Sequence, residues 1–238
     1  MGDGLLEVTV LDPRDVPGAV EGGADRLHLV AAGGAAALSP DPAVLTAVCR
    51  ESPLPVFVVL RLTDSWSTTG GELVRLVGLA EDYLARGASG VSFGFLDADL
   101  EVDTEVCGQL VGALPGVPWV FGRAIDDSLD PRRSWRRLLD LPDLAAVRSA
   151  GSPRGLEVGF DDLLATAAAP AVARVLMAGG GLLAEQVPWL VRADVRQYHL
   201  GRRVRPGGST KAYVDARLVR SWRLLLDDAF ERAVRSAG

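Results

Sequence analysis

Charged side chains sit inside segments that otherwise read as buried β-strands, and they carry the first chemical information in this sequence. In Arg26-Leu27-His28-Leu29-Val30 the polar residues alternate with leucines, so Arg26 and His28 share one face of an extended chain. Glu7 stands likewise between Leu6 and Val8, Arg61 follows the run Val56–Leu60, and His199 lies in the run Gln197–Leu200. An unpaired charge in such a place is costly, so each must meet an opposite charge, water or a ligand. Glu7 with Arg26 reads equally well as an internal salt bridge. Arg61, His28 and His199 fall at or near strand C-terminal ends, where a ligand-facing role is favoured. A carboxylate, two imidazoles and several guanidiniums are the means to move protons and to stabilise developing negative charge.

A second pattern is glycine-rich. Met177-Ala178-Gly179-Gly180-Gly181-Leu182 forms a turn directly after an apolar run, and His199-Leu200-Gly201 leads into Arg202, Arg203, Arg205 and Lys211. Glycines let a backbone approach an anion, and nearby arginines add charge-assisted hydrogen bonds. A tight turn explains the glycines about equally well, so Gly179, Gly180, Gly181, Gly201, Arg202 and Arg203 are candidates for holding a small anion.

Metal ligands are sparse: two His, two Cys and two Met, with no C-x-x-C or H-x-x-x-H spacing. Cys49 and Cys107 fall in helical patterns, where they read as small buried hydrophobes. Glu7, His28 and His199 form a carboxylate–imidazole set only if the fold brings them together. Ser92 has no G-x-S-x-G around it. Asp12, Asp64, Asp97, Asp99 and Asp126 follow or lie near strand ends and are candidates for general acid–base work, although each reads first as a solvated loop carboxylate.

The elements that must position these residues repeat along the chain. Eight short apolar runs, Leu5–Val10, Arg26–Val30, Val56–Leu60, Gly90–Phe93, Val117–Phe121, Ala145–Ser149, Arg174–Ala178 and Gln197–Leu200, suit strands buried on both faces. Leu73, Leu76, Val77, Ala80 and Leu84 keep one apolar helical face, and Gly87 follows where a helix commonly stops. Leu218, Trp222, Leu225, Ala229 and Ala233 do the same near the C-terminus. Shorter helical patterns cover Asp41–Arg50, Thr104–Ala113, Pro131–Leu139, Asp161–Ala168 and Leu183–Val191, with only a turn or two at Val16–Glu21. Strand–helix alternation with no linker-like tract predicts parallel βαβ units in an α/β fold, closed as a single-domain (β/α)8 TIM barrel over residues 1–238. A doubly wound open sheet is the competitor, but Leu11-Asp12-Pro13-Arg14 is not the Gly-rich turn it usually shows.

The 238 residues carry 25 Lys+Arg against 31 Asp+Glu, a net charge of −6 that disfavours general nucleic-acid binding. The stretch Ala167–Ala184 is apolar but broken by Pro170, Arg174 and three glycines, which argues against a membrane span. Two cysteines make no disulfide framework, and the opening residues lack a signal-peptide pattern, so a cytoplasmic location is expected. Trp135, Trp189 and Trp222 are candidates for a homo-oligomer interface, although core packing explains helical tryptophans more often.

Leu6-Glu7-Val8 with Gly22-Gly23-Ala24-Asp25-Arg26-Leu27-His28-Leu29 resembles the opening of the CutC family, named for copper homeostasis. Ser39-Pro40, Pro55–Arg61, Gly90–Leu96 with Asp103, Phe121-Gly122-Arg123-Ala124-Ile125-Asp126, Met177–Gly181 and His199 resemble its later blocks in the same order. The resemblance implies a TIM barrel, a copper-handling role and a rim set of Glu7, Arg26, Arg61, Arg123, Asp126 and His199. His28 stands where the family carries Glu, and Gly122 where it carries His. Leu62-Thr63-Asp64 replaces the Pro and Gly-Gly-Asp that follow Arg61 in the family, and Val30-Ala31 stands where a Cys is often found. Copper enters by this resemblance only, because Cu(I) prefers thiolate and thioether. Cys49, Cys107 and Met1 are misplaced for it, and Met177 alone is expected near the rim. Three roles remain open: a copper-homeostasis binding protein with an anion pocket, a lyase or isomerase acting on a phosphorylated or carboxylate substrate through Glu7, His28 or His199, and a non-catalytic member.

Overall fold

The Val-, Leu- and Phe-rich runs form eight parallel strands in the computed structural model, which describes residues 4–33 and 37–237. They are β1 (Leu5–Val10), β2 (Arg26–Leu29), β3 (Val56–Val59), β4 (Gly90–Phe93), β5 (Trp119–Phe121), β6 (Leu144–Ser149), β7 (Leu176–Ala178) and β8 (Gln197–Leu200). Neighbours in sequence pair in parallel, and β8 pairs back onto β1, so the sheet closes. The expected TIM barrel is the observed fold.

Nine helices lie among the described residues: α1 (Val16–Gly22), α2 (Pro42–Glu51), α3 (Gly70–Ala85), α4 (Thr104–Ala113), α5 (Pro131–Leu139), α6 (Leu156–Ala167), α7 (Pro170–Val175), α8 (Val187–Arg192) and α9 (Ala216–Ala237). Their starts are written locally. Asp41, Asp103 and Asp130 accept backbone N–H bonds at the starts of α2, α4 and α5. Thr69 and Glu72 cap each other's backbone at the start of α3. Gly87 closes α3 with φ +105°, a backbone that L side chains rarely adopt.

Several boundaries differ from the sequence reading, among them β5, which starts at Trp119 rather than Val117. Strand seven begins at Leu176, because Pro170 starts the short helix α7, which holds Arg174 and Val175. Helix α6 starts at Leu156 rather than Asp161, directly after Gly155 with φ +96°. The segment from Leu183 opens as a 3-10 turn, Ala184–Gln186, before α8.

Alternation sorts the side chains into two cores. Leu6, Val8, Leu27, Leu29 and Val58 face outward into a continuous core under the helices, where Trp119 stacks on Phe93 at 4.6 Å. Phe57, Val120, Ala146 and Met177 form a separate cluster enclosed by the strands. That apolar plug fills one level of the barrel interior, and the charged residues share the interior with it. Trp135 is buried and Trp222 half-buried, but Trp189 is 56% exposed, so core packing does not explain it.

Candidate functional site

Strand register converts the alternation seen in sequence into one polar cluster. Glu7 lies beside Arg26 of β2 and His199 of β8, and His28 lies beside Thr9. Glu7 is fully buried, Arg26 and His28 nearly so. Arg26 Nε donates to Glu7 Oε2 at 2.7 Å, and its guanidinium lies over the Phe57 ring at 4.2 Å. Arg148, from β6, donates through Nη2 to Glu7 Oε1 at 2.6 Å. His199 Nδ1 sits 2.7 Å from the same oxygen, and its Nε2 sits 2.9 Å from Thr9 Oγ1.

The protonation states follow from the neighbours. Burial alone would raise the Glu7 carboxyl, but Arg26, Arg148 and His199 outweigh it and hold Glu7 well below its usual range. Burial, reinforced by Arg148, lowers His199 to about 4 and pushes His28 well down. Both imidazoles are therefore neutral near pH 7. An ionised Glu7 accepts only, so His199 carries its proton on Nδ1 and takes the Thr9 hydroxyl at Nε2. Arg148 Nη1 approaches His28 Nδ1 at 3.5 Å, and a guanidinium only donates, which leaves the His28 proton on Nε2. That Nε2 is buried without a partner, as is Arg148 Nε. One carboxylate thus faces two guanidiniums, and a positive charge is left over.

Two cavities open above this floor. One, of about 430 Å3, is lined by His28, Arg61, Trp66, Ser92, Arg123 and Arg148 among others. The other, of about 830 Å3, lies against Gly180, Gly181, Gly201, Arg202 and Arg203, with His199, Arg123 and Arg148. Arg61 packs over the Trp66 ring at 3.8 Å and pairs with Asp64. Arg123 donates to Asp126 Oδ2 at 2.7 Å and to the Ser152 carbonyl. Gly180 has φ +88°, and a Cβ there would lie 2.9 Å from the Arg123 guanidinium.

The fold brings Glu7, Arg26, His28, His199, Arg61, Arg123 and the glycines to the barrel interior and mouth, with Arg202 and Arg203 at the larger cavity. Several expectations are corrected. Arg205 is not available to an anion, because it is buried in a two-bond pair with Asp15. Met177 is not at the rim: it is fully buried in the apolar plug, its Sδ 4.0 Å from Arg26 Nη2. Asp126 is no free acid–base group, since it accepts from Arg123, Ser149 and the Ala150 N–H, and burial still raises its carboxyl. Asp12 and Asp97 cap backbone N–H groups of their own loops. Met1 lies outside the described residues. The sequence reading missed Arg148, although an Arg after Val147 in an apolar strand is the same signal as Arg26, and it missed Thr9 and Trp66.

Glu7, His28 and His199 hold their ligand atoms within 4.8 Å of one another. Copper does not fit them. Both Glu7 oxygens and both His199 nitrogens already have partners, and two guanidiniums repel a cation. The cysteine thiols are elsewhere, Cys49 on α2 and Cys107 buried on α4, and the Met177 thioether faces the Arg26 guanidinium. No helix among the described residues is long and apolar enough to cross a membrane.

Residues 4–204 match the model of the CutC family. A CutC family protein of Xylella fastidiosa strain Temecula1 is 30% identical over 200 residues, covering 83% of this chain and 74% of that protein. A human copper homeostasis protein cutC homolog is 33% identical over 141 residues, 58% of this chain and 50% of that protein. Among solved structures, a putative copper homeostasis protein CutC from Streptococcus agalactiae has a TM-score of 0.71 at 21% identity, covering 83% of this chain and 98% of that one. A phosphoribosyl anthranilate isomerase from Thermotoga maritima has a TM-score of 0.58 at 14% identity, covering 98% of this chain and 99% of that one. At these identities both structures speak for the fold alone.

Proposed function

The chain belongs to the CutC family, and from that premise we propose that its part in copper homeostasis depends on a small anionic ligand held at the barrel mouth, not on a copper ion held by the barrel. The observation that carries this is the excess of guanidinium over carboxylate around Glu7. Arg148 is buried, shares Glu7 with Arg26, and borders both cavities. A buried charge that is only partly compensated is costly, and an anion completes the pairing. Arg202 and Arg203 are exposed at the larger cavity, beside the Gly180–Gly181 turn, where they add field at its entrance.

Inorganic phosphate is the first probe. Its binding raises the thermal midpoint by mass action, by about 2.7 kcal/mol of stability at a hundredfold excess over Kd. Arg203→Ala and Gly180→Asp are expected to weaken the response; if both leave it intact, the pocket is wrong. An anaerobic Cu(I) titration against a chelator is expected to show no competition, and withdrawal of one copper per chain would overturn the reading.

A catalytic reading, of lyase or isomerase type, is favoured by one feature. His28 is neutral, and its Nε2 faces no protein partner, which suits a group that donates a hydrogen bond to, or moves a proton on, a bound substrate.

A further inference from the structure

The mouth of the barrel is divided, and its halves differ chemically. Every charged residue lining the larger cavity is an arginine: Arg123, Arg148, Arg202, Arg203, and Arg205, which Asp15 already neutralises. The smaller cavity is mixed, because Asp64 and Asp127 line it together with Arg61. A second anion there would face two carboxylates, so the halves do not take the same group. Arg123 and Arg148 border both, which makes them neighbours within reach of one ligand.

The polar groups of the smaller half match hydroxyls. His28 is 2% exposed, and its unpartnered Nε2–H is a donor that only an acceptor can satisfy. Ser92, also 2% exposed, lines the same cavity and can donate or accept. Trp66 Nε1 donates to Asp127 Oδ2 and Arg61 Nη2 to Asp64 Oδ1, and each carboxylate keeps lone pairs to accept from others. A hydroxyl both donates and accepts, so a polyhydroxylated skeleton satisfies donors at the floor and carboxylates at the wall. A volume of about 430 Å3 falls in the range of small-molecule sites.

We infer that the two cavities are one divided site for a sugar or polyol monophosphate. The phosphate lies in the glycine–arginine half, the hydroxylated carbon chain in the Trp66 half, and Arg148 stands between them. This rests on the anion reading above and adds the class of ligand and the place of its uncharged part.

The test titrates the full chain with inorganic phosphate, glycerol 3-phosphate, ribose 5-phosphate, glucose 6-phosphate and unphosphorylated glucose. At least one organic phosphate is expected to bind about tenfold or more tighter than inorganic phosphate, a difference of about 1.4 kcal/mol. Ser92→Ala and Asp64→Asn should each remove about fivefold of that gain, the worth of one hydrogen bond, while leaving the affinity for inorganic phosphate unchanged. Asp64 is 72% exposed and Ser92→Ala is a small change, so both variants fold. Trp66 fluorescence, isolated by difference against Trp66→Phe, should respond to the organic phosphate and not to the inorganic one. Organic phosphates that bind no tighter than inorganic phosphate, or a gain untouched by both variants, overturn the divided site and leave the anion reading standing. Failure of every phosphate compound to bind removes both.

Discussion

Arg148 Nη2 lies 2.6 Å from Glu7 Oε1 across 141 positions of sequence, so the sixth strand meets the first inside the barrel. Arg26 takes the other carboxylate oxygen from the second strand, and His199 reaches the shared one from the eighth. Four strands thus converge on one fully buried carboxylate. The apolar plug of Phe57, Val120, Ala146 and Met177 fills the interior beside this cluster, and His28, Arg148 and His199 line the cavities at the mouth.

Removing the carboxylate charge should therefore be severe. Glu7→Gln leaves two buried guanidiniums facing each other, a loss of about 3–5 kcal/mol and a midpoint lower by about 6–20 °C for a chain of this size. In an Arg148→Met background the same change should cost less, because one of the stranded charges is gone. A double-mutant cycle on urea midpoints measures the coupling. Equal costs in both backgrounds would show that the two side chains do not act as a pair.

Acid should destabilise the protein well before Glu7 titrates. His199 is lowered from the ordinary 6.5 to about 4, and His28 is shifted the same way. Below pH 6.5 the unfolded chain takes up protons that the folded chain refuses, so stability falls as pH drops towards 4 and the His199 loss levels off below that. For His199 the loss amounts to about 3 kcal/mol. Glu7 acts in the same direction, but only below its ordinary 4.5, and the raised Asp126 carboxyl acts in the opposite one, so the loss between pH 6.5 and 4.5 comes from the histidines. Urea melts at pH 7.5, 6 and 5 should show a shallower slope in His199→Asn than in the parent. An identical slope would mean that His199 is not held neutral.

The barrel and half of the site were legible because they depend on local period. Strand alternation put Arg26 and His28 on one face, and the eight apolar runs counted out the strands. Arg148 does not stand out in sequence because its run, Ala145-Ala146-Val147-Arg148-Ser149, mixes small residues and shows no sharp alternation. Its contact with Glu7 depends on closure of the whole sheet, which no window of sequence contains. Arg205 fails differently. It stands in a row with Arg202 and Arg203, and what singles it out is Asp15, 190 positions away.

Gly180 joins backbone conformation to the arginine wall. Its φ of +88° disfavours any L side chain, and a Cβ would press on the Arg123 guanidinium at 2.9 Å. Gly180→Ala should cost about 1–3 kcal/mol in chemical denaturation and weaken phosphate binding together with stability. The neighbouring Gly181→Ala, with φ +101° but open space around its Cβ, should cost stability while disturbing Arg123 less. Phosphate titrations of the two variants separate strain from displacement; equal losses of affinity would exclude a role for Arg123 displacement.

The arginines that follow strand eight divide into two kinds, and substitution should tell them apart. Arg205 is 3% exposed, donates two bonds to Asp15 at 2.9 and 2.7 Å, and bonds the carbonyls of Thr9 and Ala212. It ties the loop after β8 to the loop after β1. Arg205→Ala leaves the buried Asp15 without its guanidinium partner, and should cost about 3–5 kcal/mol. Arg202 and Arg203 are exposed, and their alanine variants should stay within about 0.5 kcal/mol of the parent. Their phosphate response should fall, and fall most at low ionic strength, where screening of an exposed charge is weakest. Melts with and without phosphate, at low and high sodium chloride, check both halves of the statement. A stable Arg205→Ala would break the assignment of the buried clasp, and phosphate responses in Arg202→Ala and Arg203→Ala equal to the parent's at both salt concentrations would remove the exposed arginines from the anion site.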